Sequence, residues 1–135
     1  RAMFESNWLT AIWRLSDVAS PQRLGRIQGQ MLRDVSEIVH QMRDPRVQGV
    51  NISEVVVSKD LSYATIYVSV IGEEDIQRSA LTALRRATGH IRSQIAQRIH
   101  LRYAPELRIE YDRTAEQAAR VLSLIDELDA EKDEL

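Results

Sequence analysis

Apolar residues, with one threonine among them, recur at three- and four-residue steps from Leu81 to Ile99, and no other pattern constrains the fold as strongly. The stripe consists of Leu81, Leu84, Thr88, Ile91, Ile95 and Ile99. Such spacing is typical of the buried face of a helix. Gly89 lies inside the stripe without shifting its register. The pattern therefore predicts two helices joined by a kink, or one bent helix, with no long loop between them.

Two strand patterns precede this helical region. Residues 50–58 are rich in β-branched side chains, which favour strands. Residues 63–70 alternate, with Ala64, Ile66, Val68 and Val70 on one face and Tyr63, Thr65, Tyr67 and Ser69 on the other. The short connection from Lys59 to Ser62 predicts a hairpin. Tyr63 and Tyr67 fall on the wetter face, where we favour cross-strand packing over stacking on RNA bases.

Helices flank these elements on both sides. Ser20 is a candidate N-cap for a helix over residues 21–42, and Asp44-Pro45-Arg46 ends it because proline disfavours the α conformation in the residue before it. Residues 107–111 alternate and predict a third strand. A last helix has apolar residues up to Leu128, and the acidic residues that follow are expected to fray.

The order helix, strand, strand, helix, kink, helix, strand, helix predicts an α+β fold. Its natural form is a three-stranded sheet that helices cover on one face. We assign residues 20–112 to this domain, residues 1–19 to an N-terminal extension of unknown role, and residues 113–135 to a C-terminal helix with an acidic tail.

Composition narrows the classes of function. The chain has no cysteine, which excludes disulfides and thiolate metal sites and favours a reducing compartment. No apolar run approaches the roughly 20 residues that a membrane span needs. Residues 20–112 hold 13 basic and 11 acidic side chains, whereas residues 113–135 hold 3 and 7. The final Lys-Asp-Glu-Leu has the letters of an endoplasmic-reticulum retention signal. We interpret it as coincidental because no secretory signal precedes it.

The predicted helical region contains many basic residues and no acidic ones. Between Ile76 and Arg102 the chain has six arginines, two histidines and no acidic residue. A phosphate backbone suits such a surface, because the planar guanidinium binds two phosphate oxygens at once. A solvated helix face explains any single arginine better, but for the group we favour RNA contact. Gly89 would let RNA approach the backbone or, by preference, let one helix cross another.

Two other classes of function compete with RNA binding. An enzyme would need paired carboxylates, a nucleophile with its base, or a metal triad. The acids considered for such a site, Asp44, Asp60, Glu106 and Asp112, lie at element ends, where acids commonly cap helices or form turns. His90 and His100 lack partners at ligand spacing, so we expect no metal and no cofactor. A protein-interaction module that uses the Trp8–Trp13 segment or the acidic tail, without direct RNA binding, stays open as the alternative.

The order of elements resembles a type II KH domain, which clamps a nucleic-acid backbone with a GxxG loop between consecutive helices. This chain has no GxxG and carries Ala87-Thr88-Gly89 at that place. With that junction, the chain resembles the ribosome-binding factor A family over about residues 20–128. The other matching segments are Arg23 with Arg26, Asp44-Pro45-Arg46-Val47, and residues 58–64, 90–92, 98–102, 105–107 and 111–112. Residues 1–19 exceed the usual short N-terminus, and Ala118 stands where many members have glycine.

The resemblance implies a non-enzymatic assembly factor that binds the immature small ribosomal subunit, the 30S particle in bacteria, through its rRNA. It implies support of late rRNA maturation, especially in the cold, and departure with the help of assembly GTPases. The protein would act in the bacterial cytoplasm, or else in a plastid or the mitochondrial matrix, without a membrane partner and as a monomer when free. The residues expected to contact rRNA are Arg23, Arg26, Arg46, Lys59, Arg78, Arg85, Arg86, Gly89, His90, Arg92, Arg98 and Arg102.

Overall fold

The computed structural model describes residues 20–99, 101 and 103–134. Its elements are, in order, helix α1 (Pro21–Gln41), a 3-10 turn (Pro45–Val47), strands β1 (Val50–Val57) and β2 (Tyr63–Val70), helices α2 (Glu74–Arg86) and α3 (Thr88–Arg98), strand β3 (Glu106–Tyr111) and helix α4 (Thr114–Glu134). The predicted order of elements is confirmed. The Trp8–Trp13 segment, His100, Arg102 and Leu135 lie outside the described residues.

β2 is the central strand of a three-stranded mixed sheet. β1 runs antiparallel to it, with Val50 opposite Val70. β3 runs parallel to it, with Tyr63 opposite Glu106. A parallel neighbour requires a long crossover connection. Helices α2 and α3 supply this crossover, so the helix pair is held against the sheet at both of its ends.

The core lies between helices α1 to α3 and one face of the sheet. The predicted alternation of β2 is confirmed, because Ala64, Ile66 and Val68 are fully buried. The helical stripe is buried as well, with Leu84 and Ile91 at 0% exposure. Burying a large aliphatic side chain contributes about 1.5–3 kcal/mol. The apolar stripe thus fixes which side of the helix pair faces the sheet and which side faces solvent.

Local hydrogen bonds set the ends of α1 and of the β1–β2 hairpin. The Ser20 hydroxyl accepts from the Arg23 amide at 3.2 Å, as expected of an N-cap. In the hairpin, the Asp60 carboxylate accepts from the Ser62 hydroxyl at 2.6 Å and the Ser58 hydroxyl at 2.7 Å. These bonds favour the ionised carboxylate and lower the pKa of Asp60 to about 2. Leu61 adopts a left-handed conformation, with φ of 62°, to close the turn.

Helix α4 differs from its prediction. It continues to Glu134 instead of fraying after Leu128. Alanine, glutamate, leucine and lysine dominate its last turns, and these residues have high helix propensity. Every side chain described from Thr114 to Asp133 is exposed, including large apolar ones. No described helix is long and apolar enough to cross a membrane.

Candidate nucleic-acid interface

Helices α2 and α3 meet at a single residue, Ala87. Its amide donates to the Ala83 and Leu84 carbonyls at 3.1 Å and 3.0 Å, and its carbonyl accepts from the Ile91 amide at 3.0 Å. Ala87 therefore ends one helix and begins the next, with φ −92° and ψ 2°. The predicted kink without a loop is confirmed. The interruption lies at Ala87, two residues before Gly89, because Gly89 itself is helical.

Gly89 has no neighbour that would exclude a side chain. It lies in the first turn of α3 and is exposed, and a Cβ built on it meets nothing within 4 Å. The preferred explanation from the sequence, that glycine lets one helix cross another, is therefore wrong. A helical glycine costs roughly 1 kcal/mol relative to alanine. Since internal packing does not require it, the open space at Gly89 is available to an external molecule.

Two of the predicted RNA-binding arginines bind the backbone near the outer edge of the sheet. Arg85 donates to the Ile109 carbonyl of β3 at 3.1 Å, and Arg92 donates to the Ala104 carbonyl at 3.0 Å. Each guanidinium has five N–H donors, so donors remain for a second acceptor. Both residues stay exposed. The structure thus holds Arg85 and Arg92 in fixed places beside β3, where each guanidinium can bind an anion while it donates to a backbone carbonyl.

Arg98 and Arg46 are placed differently, because each is engaged by carboxylates. Arg98 lies 3.1 Å from Glu37 and 3.8 Å from the buried Asp34, and it ties α3 to α1. Its side chain is 28% exposed. Arg46 binds Asp44 at 2.7 Å, and its hydrogen bonds lower the pKa of Asp44. The charges of both arginines are balanced within the domain.

The remaining residues of the helix pair that were predicted to bind RNA face solvent. Arg78 is 3.5 Å from Glu74, but both side chains are at least 74% exposed, so the pair contributes little. Arg86 and His90 are exposed on either side of Ala87, and neither side chain has a hydrogen bond or ion pair with another residue of the part described. His90 borders a cleft of about 240 Å³ between α1 and α3. The junction therefore presents a guanidinium and an imidazole next to the open space at Gly89.

Three predicted residues lie away from the junction. Arg23 and Arg26 are exposed in the first turns of α1, and Lys59 is exposed at the tip of the β1–β2 hairpin. The hydrogen bonds of Asp60 hold the turn that presents Lys59. Arg102 lies outside the described residues. The structure thus places Arg85, Arg86, His90 and Arg92 on the helix pair near its junction, and it leaves Arg23, Arg26 and Lys59 apart from them.

Tyr63 packs across strands, as the preferred interpretation expected. The guanidinium of Arg108 lies 4.4 Å from the centroid of the Tyr63 ring. Arg108 was not singled out from the sequence, although the alternation of β3 already placed it on the wetter face. Gln28 was also missed. Its side chain accepts from the Val57 amide on the outer edge of β1 at 2.9 Å.

Comparison with known proteins decides the family. Residues 23–125 match the family model of ribosome-binding factor A. A ribosome-binding factor A from Acetivibrio thermocellus is 40% identical over 112 residues, which cover 82% of this chain and 91% of that protein. This chain belongs to the ribosome-binding factor A family.

Solved structures of ribosome-binding factor A agree with the fold. The crystal structure of the Thermus thermophilus protein is 30% identical, with a TM-score of 0.62, and covers 67% of this chain and 97% of that chain. A second comparison is a homology model of the Thermus thermophilus protein fitted into a cryo-EM map of its complex with the 30S subunit. It is 32% identical, with a TM-score of 0.55, over 63% of this chain and 90% of that chain. The α+β fold of this chain, with its three-stranded mixed sheet, thus matches the structures of this family.

Proposed function

We propose that this protein binds the small ribosomal subunit through rRNA and supports late maturation of that rRNA without itself catalysing a reaction. One observation supports the small subunit as the partner: a homology model of the Thermus thermophilus relative is fitted into a cryo-EM map of a 30S complex. The proposal includes a greater need for the protein in the cold, a monomeric free state, and release with the help of an assembly GTPase. The compartment would be the cytoplasm of a bacterium or the interior of a plastid or mitochondrion.

The helix junction is the part of the surface that best fits rRNA. Arg86 and His90 present donors on either side of the kink, and the bare backbone at Gly89 permits close approach of a sugar-phosphate chain. Arg85 and Arg92 add fixed donors beside β3. Guanidinium donors suit phosphate oxygens, and contacts to phosphate carry no sequence information. Recognition would therefore depend on the shape of a folded rRNA element.

Co-sedimentation tests the proposal. Purified protein is mixed with free small subunits or with assembled ribosomes, and retention is measured over a series of salt concentrations. We expect retention on free small subunits and a log–log salt slope of roughly −0.7 to −0.9 for each phosphate contacted. Retention that does not change with salt would contradict phosphate contact. Equal retention on assembled ribosomes would contradict a role limited to assembly.

A protein-interaction role remains the second candidate, and one observation favours it. Helix α4 exposes Val121, Leu122, Leu124, Ile125 and Leu128, each at least 48% accessible. Exposed apolar side chains of this kind mark contacts with other proteins. Removal of α4 residues 114–135 separates the two candidates. Loss of retention on small subunits would assign binding to α4, whereas unchanged retention assigns it to the domain.

A further inference from the structure

The sheet face that the helices leave uncovered is acidic, in contrast to the helix junction. Successive residues of a strand point to opposite faces, so the residues that alternate with the buried ones share this open sheet face. The open sheet face is made of Asn51, Glu54 and Val56 in β1, Tyr63, Thr65, Tyr67 and Ser69 in β2, and Glu106, Arg108 and Glu110 in β3. It carries three carboxylates and one cation, and all four charged side chains are exposed.

One row across the three strands places a tyrosine between two carboxylates. Glu54 of β1 is opposite Tyr67 of β2, and Tyr67 is opposite Glu110 of β3. Neighbouring strands are about 4.8 Å apart, so the backbones of Glu54 and Glu110 are about 10 Å apart, on either side of the backbone of Tyr67. Within residues 20–99 and 103–134, neither carboxylate has an ion pair, and no cation lies over the Tyr67 ring.

Tyr63, the other tyrosine of the open sheet face, has a cation over its ring, whereas Tyr67 has none in the described part of the chain. Arg108 lies over the Tyr63 ring at 4.4 Å, a cation–π contact within the domain. Tyr67 has the same ring and two adjacent carboxylates, but no such cation. An external guanidinium over Tyr67 would gain the ring contact and both carboxylates together.

We propose that the open sheet face binds an extended, arginine-rich segment of another protein, with one guanidinium over Tyr67 between Glu54 and Glu110. Charge complementarity decides between the classes of partner. Three carboxylates repel the phosphates of RNA, whereas they attract the basic extensions of nucleic-acid-binding proteins. This inference does not rest on the proposed function, because it uses a face of the sheet opposite to the helices.

The charges along β3 also determine how far apart the arginines of the bound segment should be. Glu106 and Glu110 flank Arg108 at two-residue steps. Residues four apart in an extended chain are about 13 Å apart, in the partner as in β3. A segment that runs along β3 therefore matches best with two arginines four residues apart and an uncharged residue midway, opposite Arg108.

A peptide titration tests this inference. The probe is acetyl-Ala-Arg-Ala-Gln-Ala-Arg-Ala-amide, added at low ionic strength to the full chain labelled with 15N. We expect the largest chemical-shift changes at Tyr67 and its neighbours in β1 and β3. The double variant E54Q/E110Q should bind about fivefold or more weakly, since it loses two exposed charge pairs. The control E116Q/E127Q, which changes the same charge on α4, should stay within about twofold.

Three results would overturn the inference. The first is unchanged affinity in E54Q/E110Q, and the second is shift changes that map outside the sheet. The third is an oligouridine RNA that shifts the same resonances, which would make this face an RNA site. A peptide with glutamate in place of arginine must not bind the unaltered chain, and this comparison holds even if a variant folds poorly. Binding of small subunits is measured separately, so its failure would leave the peptide result intact.

Discussion

Replacing Gly89 with alanine should make the protein more stable and worse at binding. The residue is helical, its φ is negative, and an added Cβ meets nothing within 4 Å. Alanine then gains the usual advantage over glycine in a helix without a steric cost. That gain is about 0.8–1.0 kcal/mol in a helix interior, and we expect about 0.5–1 kcal/mol in the first turn of α3.

A urea titration monitored by circular dichroism measures this change. The m-value, which is the slope of the unfolding free energy against urea concentration, should stay unchanged if only the stability differs. Gly72 provides the contrasting control. Its φ is +143°, and a Cβ there would come within 3.0 Å of the Ile76 side chain. The same substitution at Gly72 should therefore destabilise the fold by about 1–3 kcal/mol. One alanine should raise the free energy of unfolding and the other should lower it.

Retention on small subunits completes the test of Gly89. If rRNA approaches the backbone at the junction, the added methyl group should weaken retention although the fold is more stable. Two results would refute the reasoning. Destabilisation by G89A would mean that packing does require the glycine, and stable protein with unchanged retention would mean that nothing approaches the site.

Three further predictions concern the contacts that hold the domain together. Arg98→Ala should lower the free energy of unfolding by about 1–2 kcal/mol in a urea titration, because the buried Asp34 loses its cation; an unchanged midpoint would contradict this tie. Gln28→Ala should lower the free energy of unfolding by about 1 kcal/mol and increase self-association in size-exclusion chromatography, because it leaves the Val57 amide unpaired on a sheet edge. A monomeric elution profile would contradict the idea that Gln28 protects this edge. The folded pKa of Asp60 is lowered from 3.8 to about 2, so its ionised carboxylate stabilises the fold above the unfolded pKa, and this stabilisation is lost as the pH falls from about 4 to 2. Asp60→Asn should therefore lose less stability over this pH range, and thermal melts at each pH that match the unaltered protein would contradict this.

The fold could be predicted because its signals are local. The alternation of β2, the N-cap at Ser20 and the uninterrupted stripe from Leu81 to Ile99 each depend on residues close together in the chain. The acidic composition beyond Leu128 predicts fraying, but the alanine, glutamate and leucine residues of α4 have high helix propensity and the helix continues to Glu134.

The candidate site could be predicted only as a region. The sequence shows how many arginines lie near the junction, but not which of them the fold uses. Arg98 is engaged by α1, and Arg85 reaches a carbonyl 24 positions further along the chain. The role of Gly89 was misjudged for the same reason, because the space around a residue depends on how distant elements pack. Only after these contacts are known can Arg86 and His90 be recognised as exposed side chains without a partner in the described part of the chain.

Charge reversal at Arg86 tests the central claim most directly. Retention of Arg86→Glu on free small subunits is compared with that of the unaltered protein and of Arg120→Glu, which makes the same charge change in α4. The account predicts that Arg86→Glu is retained several-fold less and has a shallower salt slope by about one phosphate contact, while Arg120→Glu is retained normally. Equal loss in both variants, or no loss in either, would contradict binding through the helix junction.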